Sequence, residues 1–440
     1  MNKGEEQAKA IVGLRISELL KEHALTVSIE KIPRKVVTKL LCLFEQIEDP
    51  RLLCRVEYPL NELLLTLFLA ILAGSETYAD ISRFWQLNKK FYKRLFKKDK
   101  IASHDTFRRI LSILPTQHVN EIMSEILVSS IANLRKALKV EKGTTFYSVD
   151  GKELRGSGRK YETSEKIKNL MTLNVYDHND ETCIYSEPIS DKHNEIPHAQ
   201  QLLSQMNLKD SIVSFDAMHT QYKTANIIVQ AKGDFVGGLK GNQGTLSTFA
   251  QELFSDDKLL QKLKESGNNY FYSSEIAHNQ LEERHFYYCA ITPKQKTQEF
   301  SKWEKIKAIV CYDKTTRHNV TAKQTFERRY YLTSLNSVID ASYCIRNHWG
   351  IENSLHWLMD AIMNEDDCQV VDRNAATNLS ILKKSCLSMY KLYKAVTKEK
   401  ISIRTTRKVF GWGFEDSLAK VLAMCDAKTL QDSLIIAPKK

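Results

Sequence analysis

The stretch His348 to Asp360, HWGIENSLHWLMD, sets a His, a Glu, a His and an Asp at four-residue intervals. Positions four apart stack on one face of an α-helix, so His348, Glu352, His356 and Asp360 would form a polar stripe along it. Trp349, Ile351, Leu355, Leu358 and Met359 then fall on the other sides, as in a helix packed into a protein with its polar row facing a cleft or partner. An exposed face with i,i+4 pairs, worth a few tenths of a kcal/mol each, accounts for the same row equally well. Two further acids close short β-rich runs, Asp150 in TFYSVD and Asp216 in SIVSFD. Either alone can be a turn-former or a helix cap. Three carboxylates gathered from distant sequence repel unless a cation joins them, and hard divalent ions prefer oxygen ligands. Such a cluster holding two Mg²⁺ about 4 Å apart can activate an attacking oxygen and stabilise a leaving one in phosphoryl transfer.

The elements that must position these acids follow from the pattern of the chain. Up to about Ala137 the pattern is helical, with GSETYADISRFW opening one helix after Gly74 and SHDTFRRIL another, Ser103 serving as N-cap. A packed helix pair and a helix-turn-helix are both compatible with these two. From Thr145 the pattern changes to strands at TFYSVD, LMTLNVY and TCIYSEPI, with a Gly-rich basic loop from Gly151 to Gly158 after the first. IPHAQQLLSQM reads as a helix, SIVSFD as a strand, residues 220–231 as a helix and DFVGGLKGN as a fifth strand. The order β-β-β-α-β-α-β implies an antiparallel meander continued by parallel strands with right-handed crossovers. Residues 246–336 then carry aromatic, β-branched runs of an antiparallel insertion, and helices return after it. The expected division is 1–140, an all-α DNA-binding domain; 141–245, the first part of an α/β core; 246–336, the β-rich insertion; and 337–440, helices that complete the core.

The net charge is +11, and residues 1–140 hold 23 Lys and Arg against 16 Asp and Glu, or +7 of it. Within KKFYKRLFKKDK, Lys89, Lys93 and Lys97 make one helical row and Lys90, Arg94 and Lys98 the next, over an apolar seam of Phe84, Leu87, Phe91 and Leu95. A basic amphipathic helix suits a phosphate backbone, because each neutralised phosphate releases counterions, although a solvated lysine face has the same pattern. Nine scattered cysteines without a C-x-x-C pair point to reduced thiols, with neither a disulfide frame nor a zinc site. The mixed-charge opening residues are unlike a signal peptide, and the apolar run from Leu63 to Ala73 is too short to span a bilayer. These features suggest a cytoplasmic protein that acts on nucleic acid.

The blocks YSVDGKELRGS, KHNEIP, FDAMHTQ, GLKGNQGTL, ERRYYLTSL and RNHWGIENSLHWLMDAIMNED, in this order, resemble the ISAs-type insertion-sequence transposases, which include the H-repeat-associated proteins. These belong to the DDE transposase superfamily with an RNase H-like core, and LNELLLTLFLAILAGSETYADISRFW resembles the helical domain that precedes that core. The resemblance implies a bacterial, nucleoid-associated transposase that uses two Mg²⁺ ions, with Mn²⁺ as a substitute, to cleave and join DNA at element ends, working as a homodimer on double-stranded DNA. It implies Asp150, Asp216 and Glu352 as the catalytic, metal-binding acids. Lys152, Arg155, Lys240, Asn242, Gln243, His348 and His356 are then candidate DNA contacts, joined in the helical domain by Lys93, Lys97, Arg108 and Arg109. His278, Glu282 and Arg284 match a block of the insertion without an assigned role. Around the third acid, Ile345, His348 and Met359 stand where distant relatives carry Tyr, Arg and Lys.

Two other readings compete. One is a DNA-binding protein that kept the fold and lost transposition. The other is a metallohydrolase whose transition metal is bound by His348, Glu352 and His356. Three ligands at successive i+4 positions spread over about 12 Å of helix, too far for one ion to reach both ends.

Overall fold

The computed structural model describes residues 12–436 apart from residues 14, 23–24, 30, 98–99, 160–166, 190–194, 278, 293–297, 319–320 and 322. Lys98, Asp99 and His278 therefore lie outside the described residues. In chain order, α1 (Leu60–Leu72), α2 (Tyr78–Leu87), α3 (Lys89–Phe96), α4 (His104–Ile113) and α5 (Thr116–Leu138) precede β1 (Thr145–Leu154), β2 (Leu170–Asp177) and β3 (Thr182–Ile189). Next come α6 (Glu195–Gln205), β4 (Ser211–Phe215), α7 (Tyr222–Gln230), β5 (Asp234–Leu239), α8 (Gly244–Leu253) and α9 (Asp257–Glu265). The β-rich segment supplies β6 (Tyr270–Ala277), β7 (Gln280–Ala290), β8 (Ala308–His318) and β9 (Gln324–Thr333). Helices α10 (Val338–His348), α11 (Trp357–Ala361), α12 (Arg373–Thr397), α13 (Ile403–Trp412) and α14 (Phe414–Leu422) follow. The order β1-β2-β3-α6-β4-α7-β5 is that of an RNase H-like mixed sheet, preceded by a mainly helical region that departs from the expected all-α domain in one short strand, Leu25–Val27, paired antiparallel with Leu434–Ile436.

The chain forms two compact units. Unit 1 comprises residues 1–14, 143–150 and 193–351, and unit 2 comprises 15–142, 151–192 and 352–440, so β1 passes from the first into the second after Asp150. In unit 1 the strand order is β1-β4-β5-β9-β8-β7-β6. β1 and β4 pair in parallel from Thr145 with Ser211 to Val149 with Phe215, and β4 pairs in parallel with β5. β9 then pairs antiparallel with β5, Tyr330 opposite Leu239. The insertion thus extends the core sheet instead of forming a layer of its own. Phe146, Ile212, Val236, Phe286, Val310 and the inner face of α10 share one apolar cluster. Gly237 of β5 is required where it stands, because a Cβ there would lie 2.6 Å from the Phe215 ring and 2.8 Å from the Thr220 hydroxyl.

Unit 2 is built around α12, which is buried along almost its whole length. Such a helix needs partners on every side, and α1, α4, α5 and β3 all pack on it. Its polar groups are satisfied internally: Asn378 donates to the carbonyls of Leu111 and Leu114, which end α4, and Tyr390 donates to that of Leu72, which ends α1. α2 begins at a capping box of Thr77 and Asp80, and α4 at the expected Ser103 cap. The long basic helix read from the sequence is interrupted at Asn88, which leaves Leu87 72% exposed. Phe84 and Phe91 instead clasp the ring of Phe414. All nine cysteines are unpaired, and burial pushes the Cys183, Cys386 and Cys425 thiols up. Among the described residues no helix is long and apolar enough to cross a membrane.

Candidate active site

Asp150 does not end its strand. β1 runs on to Leu154, because pairing with β4 stops at Val149 while the strand continues as a member of the order β3-β2-β1 in unit 2. The loop expected from Gly151 is therefore four more strand residues followed by a short turn, Arg155–Ser157. Asp216 does follow the end of β4. In unit 1 the parallel ladder ends with Val149 opposite Phe215, so Asp150 and Asp216 are each the next residue along two adjacent strands, Asp216 beyond the carboxyl end of β4 and Asp150 still within β1.

The loop after β4 is held by neutral groups. Oδ1 of Asp216 accepts from the backbone N–H of Met218 at 3.0 Å and of His219 at 3.1 Å. Asn242 donates to the Ala217 carbonyl at 2.6 Å, and Gln243 donates to that of Thr220. Nε2 of His219 lies 2.9 Å from Glu195 Oε1, both side chains being buried. Asn242 and Gln243, read from the sequence as DNA contacts, thus have their amides engaged by this loop, while Lys240 beside them is exposed. Glu195 and His219 were visible only as members of the blocks KHNEIP and FDAMHTQ.

The single stripe helix is replaced by three pieces. α10 ends at His348, Glu352–His356 forms a π-helical turn, and α11 starts at Trp357. A π turn carries its hydrogen bonds five residues back, so the four-residue row is not one straight face, and such turns are frequent at functional sites. Each member of the row has its own surroundings. In unit 1, His348 Nδ1 lies 2.9 Å from Ser214 Oγ, itself 2.8 Å from Ser148 Oγ. Burial brings the His348 pKa down to about 4, against the opposing pull of Asp216.

In unit 2, Glu352 is exposed and His356 is buried. His356 Nδ1 is 3.0 Å from Glu352 Oε2, a hydrogen bond that holds the carboxyl below its ordinary range. Nε2 of His356 lies 3.4 Å from Asn174 Nδ2, and Asn174 Oδ1 accepts from the buried Lys384 ammonium at 2.7 Å. Asp360 takes both its oxygens to Lys152 Nζ at 2.7 Å, and Glu365 and Asp366 stand 3.9 and 4.0 Å from the same ammonium. Burial raises the Asp360 carboxyl even so. Lys152, read from the sequence as a DNA contact, is thus 7% exposed and surrounded by carboxylates. Arg155 is well exposed, as are Lys93, Lys97, Arg108 and Arg109, with Arg108 3.2 Å from Asp105. Gly156 sits where a Cβ would meet the Cys368 carbonyl at 2.5 Å, which keeps the turn after β1 against residues 366–368. In unit 1, Arg284 bonds Glu282 and Glu275, and Lys314 bonds Glu282 at 2.8 Å, a lattice across β6, β7 and β8. Asn174 and Lys384 were missed, though each shows as a polar residue inside an apolar run, LMTLNVY and ILKKSCLSMY.

Comparison with known proteins places the chain in a family. Residues 141–389 match the family described as transposase DDE domain, and residues 41–126 match the region described as DDE_Tnp_1-associated. The "H repeat-associated putative transposase YhhI" of Escherichia coli K12 is 28% identical over 380 residues, 85% of this chain and 92% of its own length. "Putative protein YbfL" of the same strain has the same identity and coverage. "Putative transposase YncI" of Escherichia coli O157:H7 is 27% identical over 357 residues, 80% of this chain and 87% of its own. With an RNase H-like strand order and a family match over more than half its length, the chain belongs to the DDE transposases of the ISAs type.

Proposed function

We propose that this transposase hydrolyses a DNA strand at the ends of an insertion sequence and joins the freed 3′-hydroxyl to target DNA, with Asp150, Asp216 and Glu352 as its catalytic acids. The observation that carries the reading is that Asp150 and Asp216 each follow the last paired couple, Val149 with Phe215, of two adjacent parallel strands, in a chain that matches the DDE family. The donor types suit a divalent cation, since Asp150, Asp216 and Glu352 each offer carboxylate oxygens and that of Asp216 is fixed by two backbone amides. Two bound Mg²⁺ ions, or Mn²⁺ in their place, would supply Lewis-acid stabilisation of the attacking and leaving oxygens.

The residues of the chain do the rest. The neutral His348 network backs the β4 end without adding a positive charge. Asn242 and Gln243 steady the Asp216 loop, and Lys152 holds Asp360, so we assign these residues to positioning. The exposed cations Lys93, Lys97, Arg108, Arg109, Arg155 and Lys240 are assigned to DNA phosphates, where each contact that releases a counterion adds salt-sensitive affinity. Cleaving two ends in one complex calls for two copies of the chain, and the reaction belongs in the bacterial cytoplasm, where the nucleoid lies.

The test is excision and integration in bacterial cells, with the gene and its flanking DNA on a plasmid. Movement by the wild type that drops roughly 10³-fold or more with Glu352→Gln is the expected result, the scale of losing a group that stabilises transition-state charge. Binding of the flanks without movement by either protein would instead identify a repurposed DNA-binding protein.

A further inference from the structure

His356 is 3% exposed and Lys384 2% exposed, and Asn174 stands between them in the interior of unit 2. The Lys384 ammonium donates to Asn174 Oδ1 at 2.7 Å and to Ser186 Oγ at 2.6 Å. On its other side, the amide nitrogen of Asn174 is 3.4 Å from His356 Nε2, and His356 Nδ1 is 3.0 Å from Glu352 Oε2. One group sets the direction of the whole row. An ammonium can only donate, so the amide oxygen must face Lys384 and the amide NH₂ must face the imidazole. A ring nitrogen that accepts from an N–H carries no hydrogen itself. The ring hydrogen therefore sits on Nδ1 and is donated to Glu352.

We propose that Lys384 and Asn174 are positioning residues that select the tautomer of His356 and so hold the Glu352 carboxylate in one orientation for its cation. The inference rests on the reading of Glu352 as a metal ligand. It accounts for an ammonium inside α12, where removing a charge from water is costly and an apolar side chain would pack more cheaply. It also matches a general need: the outer partners of a metal ligand fix its orientation, and their loss weakens metal binding by about 10- to 100-fold.

The experiment is ¹⁵N NMR of histidine-labelled protein at mildly alkaline pH without metal, with His356 assigned from a His356→Gln variant. In the wild type, Nε2 of His356 should resonate as a bare, pyridine-type nitrogen and Nδ1 as a hydrogen-bearing one. Asn174→Asp keeps the shape and gives Lys384 a partner, but it replaces the donor with an acceptor. In that variant Nε2 should become hydrogen-bearing, and Mn²⁺ affinity measured by calorimetry should fall by roughly 10-fold. A hydrogen on Nε2 in the wild type overturns the inference, and so does a bare Nε2 in Asn174→Asp. The expected tautomers with unchanged Mn²⁺ affinity would leave the hydrogen-bond row standing and overturn the reading of Glu352 as a ligand.

Discussion

The carboxylates of the two units are held in place by different means. Asp216 in unit 1 follows a strand, and its loop offers spare backbone N–H groups, two of which bond its Oδ1. Glu352 in unit 2 lies in a helical turn, where backbone N–H groups are already used along the helix. Side chains must orient it instead, and these bring charge with them: His356 is backed by Lys384 through Asn174, and nearby Lys152 gathers Asp360, Glu365 and Asp366. A strand-end acid can be positioned by neutral groups, whereas a helical acid needs a charged and costly interior. Perturbing the two regions should therefore have unequal effects.

The largest effect on stability is expected in unit 2. Lys152→Met leaves Glu365 and Asp360 without their ammonium, and because Asp360 is 35% exposed the loss should sit near the low end for a broken buried pair, about 3 kcal/mol in urea unfolding. A loss under about 1 kcal/mol would mean that the carboxylates there are neutral or hydrated.

Titration should set the units against each other. The folded-state pKa of His348 is about 4, below its ordinary 6.5, so the unfolded chain binds more protons between these values. Stability present above pH 6.5 should be lost as pH falls toward 4, with a slope of at most about 1.4 kcal/mol per pH unit. His348→Gln should remove that slope. In unit 2, burial and then Asp180 raise Asp177 from 3.8 to about 6, despite Lys142. There the folded state holds the extra proton, so acidification from 6 to 3.8 stabilises, and Asp177→Asn should steepen the net acid loss. Denaturation midpoints measured across this range check both signs.

A smaller effect should follow from Asn242→Ala, which removes one neutral bond to the Asp216 loop and should lower stability by about 1 kcal/mol in the same assay. Lys93→Ala, on the exposed face of α3, should change stability by less than about 0.5 kcal/mol. It should lower the slope of log affinity against log salt for duplex DNA by about one, and an unchanged slope would remove α3 from the DNA surface.

Much of the element order could be read from the chain because it depends on local periodicity. The meander of β1, β2 and β3, the crossovers through α6 and α7, and the Ser103 cap lie close to their expected places. The errors arose where a partner decides. Asp150 looks like a strand end because Gly151 follows it, yet the ladder continues. The stripe at His348, Glu352, His356 and Asp360 keeps an ideal helical spacing, yet tertiary contacts divide it into α10, a π turn and α11. The β-rich segment was legible as antiparallel, but its attachment to β5 through β9 pairs residues some 90 positions apart, Leu239 with Tyr330, which no local pattern encodes.

The amino-acid sequence by itself determined the order of the candidate acids along the chain, the alternation of strands and helices and the basic excess of the first third. These are properties of residue type and short-range spacing. Only the tertiary structure decided which polar residues face inward. Lys152, His356 and Lys384 carry the same side chains as exposed cations and imidazoles elsewhere in the chain, and it is the desolvation imposed by α12, β1 and β2 that turns them from surface groups into supports for Asp360 and Glu352.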